Sequence, residues 1–427
     1  MPRKMKESGV EWLGQIPEGW GVNLVFQVAD QVKSKNEGLR EQNLLSLSYG
    51  KIKRKSIETV GGLLPQSFDG YNIIEADDIV LRLTDLQNDQ HSLRVGISSE
   101  RGIITSAYTT LRPRTRETAQ YLYYSLHAFD LVKGFYGMGS GVRQGLNYDE
   151  VKLIKLPRPS AAEQQQIAAF LDERCAKIDG MIAEAKASIE DYKKWKQSII
   201  FETVTGKHEK NLKPSGVDWI GDVPGGWKVV KVRQVGKTSS GATPSRGREG
   251  EYFEGASIRW VKTLDLNDGV VVETQERITE LALADSSCAI LPVGTVMVAM
   301  YGGSGTIGKC GLLAKPSTTN QAVCSIVLDR SLVDPKYLLW YLVSIKSAWM
   351  YYAVGTRKDP NINQEIVAQF RLPLPLLPEQ RRIAAFLDVK CAAIDKLVGE
   401  KEALIADLEA YKKSLIFETV TGKREVA

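Results

Sequence analysis

No stretch of this 427-residue sequence approaches the roughly 18–20 consecutive apolar side chains that span a bilayer, so no transmembrane helix is expected. The charged opening Met1-Pro-Arg-Lys-Met-Lys-Glu7 has no apolar run behind it, which argues against a secretory signal peptide. Cysteine is scarce. Cys175, Cys288, Cys310, Cys324 and Cys391 form no C-x-x-C pair, which argues against a zinc ribbon and fits a reducing, cytoplasmic compartment. The three histidines, His91, His127 and His208, are scattered, so each reads as an ordinary surface or core residue rather than a metal ligand. An excess of one charge sign is also nearly absent: the formal net charge is +5, too weak to establish nucleic-acid binding. Local basic runs are denser, at Lys51-Ile-Lys-Arg-Lys55, Arg112-Pro-Arg-Thr-Arg116, Arg246-Gly-Arg248 and Arg357-Lys358, but such runs are usually solvated faces.

Catalytic signatures are missing as well. There is no Asn-Pro-Pro-Tyr motif for amino methylation and no Gly-rich cofactor loop that opens a helix. Gly303-Ser-Gly-Thr-Ile-Gly-Lys-Cys310 nearly fits a phosphate-binding loop after a strand. Cys310 stands where a magnesium-binding hydroxyl is needed, however, and Gly311-Leu-Leu-Ala-Lys-Pro316 offers no long helix to hold phosphate. A DNA-facing loop is the better reading of that segment, with Thr306 and Lys309 on phosphate.

What the sequence does contain is a tandem repeat. Residues 163–207 and 379–423 align without a gap and are identical at 26 of 45 positions. The same offset of 216 residues (163 to 379) relates Leu156-Pro-Arg-Pro159 to Leu372-Pro-Leu-Pro375, Asn147 to Asn363, Gly139 to Gly355 and Tyr121 to Tyr337. An opening motif also repeats: Ser8-Gly-Val-Glu-Trp12 through Trp20 corresponds to Ser215-Gly-Val-Asp-Trp219 through Trp227. Its offset is 207 residues (8 to 215), so the second half carries a net nine-residue insertion between Trp227 and Tyr337. Two segments, 21–155 and 228–371, diverge. Near-identical parts imply a symmetric frame, and the divergent parts are free to face two different targets.

Residues 163–203 and 379–421 lack proline, hold one glycine each (Gly180, Gly399) and are rich in strong helix formers. Heptad seams run Ala168, Cys175, Ile182, Ile189, Lys196 and Leu171, Ile178, Ala185, Tyr192, Ile199 in the first copy. In the second they become Ala384, Cys391, Val398, Ile405, Lys412 and Leu387, Ile394, Lys401, Leu408, Leu415. Sustained seams predict coiled-coil helices about 60 Å long. Prolines 157, 159, 373, 375 and 378 mark their starts, and Gly206 and Gly422 their ends. Two such units related by a pseudo-twofold would pair the helices antiparallel and hold the divergent domains at opposite ends of a rod. Those domains read as mixed α/β, with strands near 78–83, 102–106, 294–300 and 322–328 and helices near 119–128 and 335–343. The predicted architecture is therefore α+β: two mixed α/β domains, 1–155 and 211–371, separated by long helices in 156–210 and 372–427.

The opening motif, the Leu-Pro-x-Pro lead, Ile-Ala-Ala-Phe-Leu-Asp at each helix start and Phe-Glu-Thr-Val-Thr-Gly-Lys at each helix end together resemble the specificity subunit of type I restriction–modification enzymes (HsdS). So do Gly241-Ala-Thr-Pro-Ser245, Ile258-Arg-Trp-Val-Lys-Thr263, Met300-Tyr-Gly-Gly303, Ile307-Gly-Lys309 and Asn320-Gln321. The resemblance covers essentially the whole chain. The first domain departs from it, with Thr105-Ser-Ala-Tyr108 in place of the Gly-rich loop and the Asn-Gln pair. The resemblance implies two target recognition domains, each reading half of a split site in double-stranded DNA. It implies no catalytic site or cofactor in this chain. Two methylation subunits (HsdM), using S-adenosylmethionine, and restriction/translocase subunits (HsdR), using ATP and magnesium, would dock on it. Candidate DNA contacts in the first domain are Arg82, Thr84, Arg94, Tyr108 and Arg143. In the second they are Thr243, Ser245, Arg246 and Lys262, then Tyr301, Ser304, Thr306, Lys309 and Asn320, and finally Arg357 and Lys358. The competing reading is a scaffold whose repeats bind only protein.

Overall fold

The computed structural model describes residues 3–57, 67–87, 93–138, 145–302, 305–355 and 360–426. By its contacts the chain divides into two units, Met1–Lys186 with Glu402–Ala427, and Ala187–Lys401. The helix-forming segments of the repeat are two uninterrupted helices, Ala161–Thr205 and Leu377–Val420. Pro378 lies inside the first turn of the second helix, where its missing N–H costs nothing. Each unit thus holds the beginning of one long helix and the end of the other. Among the described residues, no helix is long and apolar enough to cross a membrane.

The helix ends form as their glycines dictate. Gly206 and Gly422 adopt φ of +70° and +72°. In this left-handed turn the Lys207 N–H donates to Glu202 O (2.9 Å) and the Lys423 N–H to Glu418 O (2.8 Å), so carbonyls that the helix leaves unpaired find donors.

In the first unit the seam residues Ala168, Leu171, Cys175, Ile178 and Ile182 are buried together with Leu415, Ile416 and Val420. Lys412, a seam position carrying a charge, donates to Asp179 Oδ1 at 2.7 Å. The Tyr121 hydroxyl meets both Pro157 O and Val420 O at 3.3 Å, tying the lead into one helix to the last turn of the other. Residue numbers therefore rise along one helix as they fall along the other, which is antiparallel pairing. The second unit repeats these contacts at positions 216 residues away. Lys196 donates to Asp395 Oδ1 at 2.6 Å, and Tyr337 donates to Val204 O at 3.1 Å and Pro373 O at 2.8 Å. Even where the side chain changes, the contact survives: Tyr124 donates to Asp172 and its counterpart Trp340 to Asp388.

The opening motifs are hairpins, Met5–Glu7 with Gln15–Pro17 and Leu212–Pro214 with Asp222–Pro224. Beyond each, a strand pairs antiparallel with the Leu-Pro-x-Pro lead, Gly21–Leu24 with Lys155–Arg158 and Lys228–Lys231 with Arg371–Leu374. The repeated lead is thus a strand, not helix. Between these clasps the domains differ. The first has a four-stranded antiparallel sheet in the order Ala29–Gln31, Thr109–Pro113, Ile79–Leu81, Val95–Ile97. The helix Ala119–Leu131 packs on it through Leu122, Leu126 and Phe129. The second has a five-stranded sheet in the order Gly236–Ser240, Val323–Leu328, Val296–Ala299, Cys310–Leu313, Gly269–Val271, whose last pair is parallel. Beside it lies a three-stranded sheet of Glu276–Ile278, Ile258–Val261 and Thr318–Thr319. The helix Pro335–Ser344 is capped by Asp334, which accepts from the Lys336 and Tyr337 N–H groups.

Candidate nucleic-acid interface

In the first domain, the loop that leaves the strand Ile79–Leu81 presents Thr84 to solvent and leaves Arg82 half-buried. Arg94 does not belong with them. It is fully buried. Its guanidinium donates to Thr84 O at 3.0 Å and to Tyr136 Oη at 3.2 Å, with Arg82 O and Asp85 O at 3.5 Å. Its backbone N–H donates to Asp130 Oδ2 at 2.7 Å. An arginine in a polar loop satisfies backbone carbonyls as readily as phosphates, and here the carbonyls win; Arg94 shapes the candidate loop from inside. Tyr108 is half-buried against the cluster of Leu45, Leu47, Ile74, Val80 and Ile104, and lines a cleft of about 400 Å³ with Lys33, Lys35, Asn72 and Tyr148. Arg143 lies outside the described residues.

In the second domain the loop Gly241–Ser245 exposes Thr243 and Ser245, and the Thr243 hydroxyl donates to the Gln321 side chain. Arg246 lies over the Phe253 ring, 4.2 Å from its centroid, and pairs with Glu249 and Glu276. Lys262 pairs with the same Glu276. A second knot surrounds Glu273, which accepts from Arg259 (3.0 Å), Arg277 (2.8 Å) and Lys315 (2.8 Å). Hydrogen bonds from Arg259 and Lys315 draw its carboxyl down to about 2. Much of the positive charge read from the sequence is thus neutralised by acids on neighbouring strands. A phosphate arriving here would have to exchange with a carboxylate.

Tyr301 and Lys309 are half-buried, and Lys309 forms no ion pair among the described residues. Asn320 spends its side-chain oxygen on the Ala322 N–H at 3.2 Å. Thr306 is buried, with its hydroxyl turned inward to Gly302 O at 2.9 Å, so it holds the glycine turn rather than an external phosphate. Cys310 begins a buried strand, not a helix, which removes the phosphate-loop reading of Gly303–Cys310. Ser304, Arg357 and Lys358 lie outside the described residues. Among the described residues no three His, Cys, Asp or Glu side chains gather as a metal-binding group.

One basic segment stands outside these candidate contacts. Lys51, Lys53 and Lys55 are exposed and carry no ion pair among the described residues, on a hairpin whose signal is Tyr-Gly between alternating Leu/Ser and Ile/Lys.

A family model described as a type I restriction modification DNA specificity domain matches residues 224–405. The type I restriction enzyme MjaVIII specificity subunit of Methanocaldococcus jannaschii is 24% identical over 423 residues, covering 96% of this chain and 94% of the relative. The EcoR124I/EcoR124II specificity subunit of Escherichia coli is 24% identical over 278 residues, 63% of this chain and 62% of the relative. Among solved structures, a chain from a type I restriction–modification complex superposes with a TM-score of 0.73 at 16% identity, over 96% of this chain and 99% of that one. The HsdS subunit of Thermoanaerobacter tengcongensis gives 0.53 at 16% identity, over 96% and 98%. The whole-length likenesses run through both units: over nearly its full length the chain is similar to specificity subunits of type I restriction enzymes, and residues 224–405 match the DNA specificity domain.

Proposed function

We propose that this chain is the non-catalytic DNA-reading subunit of a type I restriction–modification complex. One observation carries the reading. The two units repeat frame contacts 216 residues apart, among them Lys196–Asp395 and Lys412–Asp179, while the domains they hold differ in sheet topology. A duplicated frame with two unlike polar faces suits a bipartite, asymmetric double-stranded DNA site. Segments 1–155 and 211–371 act as the target recognition domains, and 156–210 and 372–427 dock the methylation and restriction subunits. Methyl transfer with S-adenosylmethionine and ATP- and magnesium-dependent cleavage belong to those partners, in the cytoplasm. Of the proposed contacts, Arg82, Thr84 and Tyr108 stand in the first domain, and Thr243, Ser245, Arg246, Lys262, Tyr301, Lys309 and Asn320 in the second. Their phosphate bonds would fix register, and bonds to base edges would give sequence preference.

The test is a domain exchange. Replacing residues 21–155 by a foreign target domain, in a chain reconstituted with methylation subunits, is expected to change one half of the methylated site and leave the other. The isolated chain is expected neither to methylate nor to cut DNA. A folded chimera that alters both halves, or methyl transfer by the chain alone, refutes the reading.

A further inference from the structure

The strands Leu45–Ser48 and Lys51–Arg54 form a hairpin with Leu45 opposite Arg54 and Ser48 opposite Lys51. Residues directly opposite share a face. The inner face therefore holds Leu45, Leu47 and Ile52, which pack on Ile74, Val80 and Ile104. There is no slack beneath them: a Cβ on Gly96 would sit 2.5 Å from Leu47 Cδ1. At the base, Arg54 Nε donates to Glu100 Oε1 at 2.8 Å. The ribbon is thus fixed from below. Its outer face carries Ser46, Ser48, Lys51 and Lys53.

Two features of this ribbon face outward. The outer lysines stand about 7 Å apart, two residues along one strand. They are exposed and carry no ion pair among the described residues, unlike Arg246 and Lys262 of the second domain. The two-residue turn is Tyr49-Gly50, with φ of +48° and +75°. Asn-Gly or Asp-Gly makes such a turn readily, whereas a bulky side chain at positive φ is strained. The turn places Tyr49 at the tip with 73% of its surface exposed. A two-stranded ribbon fits the DNA major groove, where serine and lysine side chains bond base edges and phosphates.

We propose that this hairpin is a groove probe of the first domain: Lys51 and Lys53 engage phosphates or guanine edges, and Tyr49 at the tip sets the preference at one position of that half-site. The inference rests on the DNA-reading function above. It is tested in the full complex with methylation subunits, using Tyr49→Asn and the double variant Lys51→Gln/Lys53→Gln. The lysine variant is expected to make the slope of log affinity against log salt shallower by about two. Tyr49→Asn, which suits the turn, is expected to melt no lower than wild type yet to relax one position of one half-site, leaving the other half unchanged. If the wild-type complex modifies a bipartite site while both variants keep its salt slope and site preference, the hairpin inference fails and the function stands. A wild-type complex without bipartite recognition overturns the function and the hairpin's role together.

Discussion

Replacing Gly422 by alanine puts the joint between a helix end and an opening motif under load. At φ +72° the residue occupies the left-handed region, where an L side chain costs about 1–2 kcal/mol. The new Cβ would stand 2.5 Å from both Cδ and Cγ of Pro17 and 3.0 Å from Trp20 Cη2. Ordinary carbon contacts are about 3.5–4.0 Å, so something must move by roughly 1 Å. Neither neighbour gives easily. Pro17 is a rigid ring in a strand paired with Met5, and Trp20 is buried with its indole N–H on Glu163 at 3.2 Å. Overpacking of this kind adds about 1–3 kcal/mol. The sum, about 2–5 kcal/mol, is a large fraction of ordinary domain stability. Gly180→Ala is the control. It makes the same chemical change in mid-helix with nothing within 4 Å of the added methyl, so a gain of up to about 1 kcal/mol is expected. Urea unfolding followed by tryptophan fluorescence reads both. Gly206→Ala, whose Cβ would sit 2.4 Å from Pro224 Cγ, should reproduce the loss in the second unit. A Gly422→Ala protein as stable as wild type would refute the reasoning.

Tyr337→Phe removes the donor shared by two buried carbonyls, and is expected to destabilise by about 1–3 kcal/mol in the same unfolding assay. Tyr121→Phe should cost less, because its bonds are longer. Burial, reinforced by Lys412, holds His127 neutral down to about 4. As pH falls from 6.5 towards 4 the unfolded chain takes up a proton that the folded chain refuses, and stability drops by up to about 3 kcal/mol. Burial moves the nearby Asp130 the other way, to about 6, so its contribution is present in acid and lost as pH rises through 6. The two oppose each other in the wild type. His127→Phe should therefore gain stability relative to wild type between pH 7 and pH 5, measured as the difference in urea midpoints. Glu276→Gln frees Lys262 and leaves Arg246 with Glu249 as its one remaining carboxylate among the described residues. Tighter DNA binding with a steeper salt dependence is expected, and an unchanged slope would place that knot away from DNA.

The repeat, the two long helices, their buried seams and their glycine ends were legible in the residues, because each is written in local periodicity or local backbone preference. Heptad spacing fixes which side chains share a stripe, and a glycine that ends a helix needs no distant partner to do so. The alternating run from Leu45 to Arg54 was equally local and held the hairpin signal, though the basic cluster within it read as a solvated face. Other decisions waited on contacts far apart in the chain. Arg94 is a structural residue because the carbonyls of residues 82, 84 and 85 surround it. Arg246 and Lys262 are neutralised because strand pairing brings up Glu276. The seam lysines 196 and 412 find Asp395 and Asp179 only once the helices run antiparallel. Exposure and charge are properties of a neighbourhood, and most of that neighbourhood comes from elsewhere in the sequence. So the residues alone determined the frame, and folding decided which of its polar side chains remain free to meet a partner.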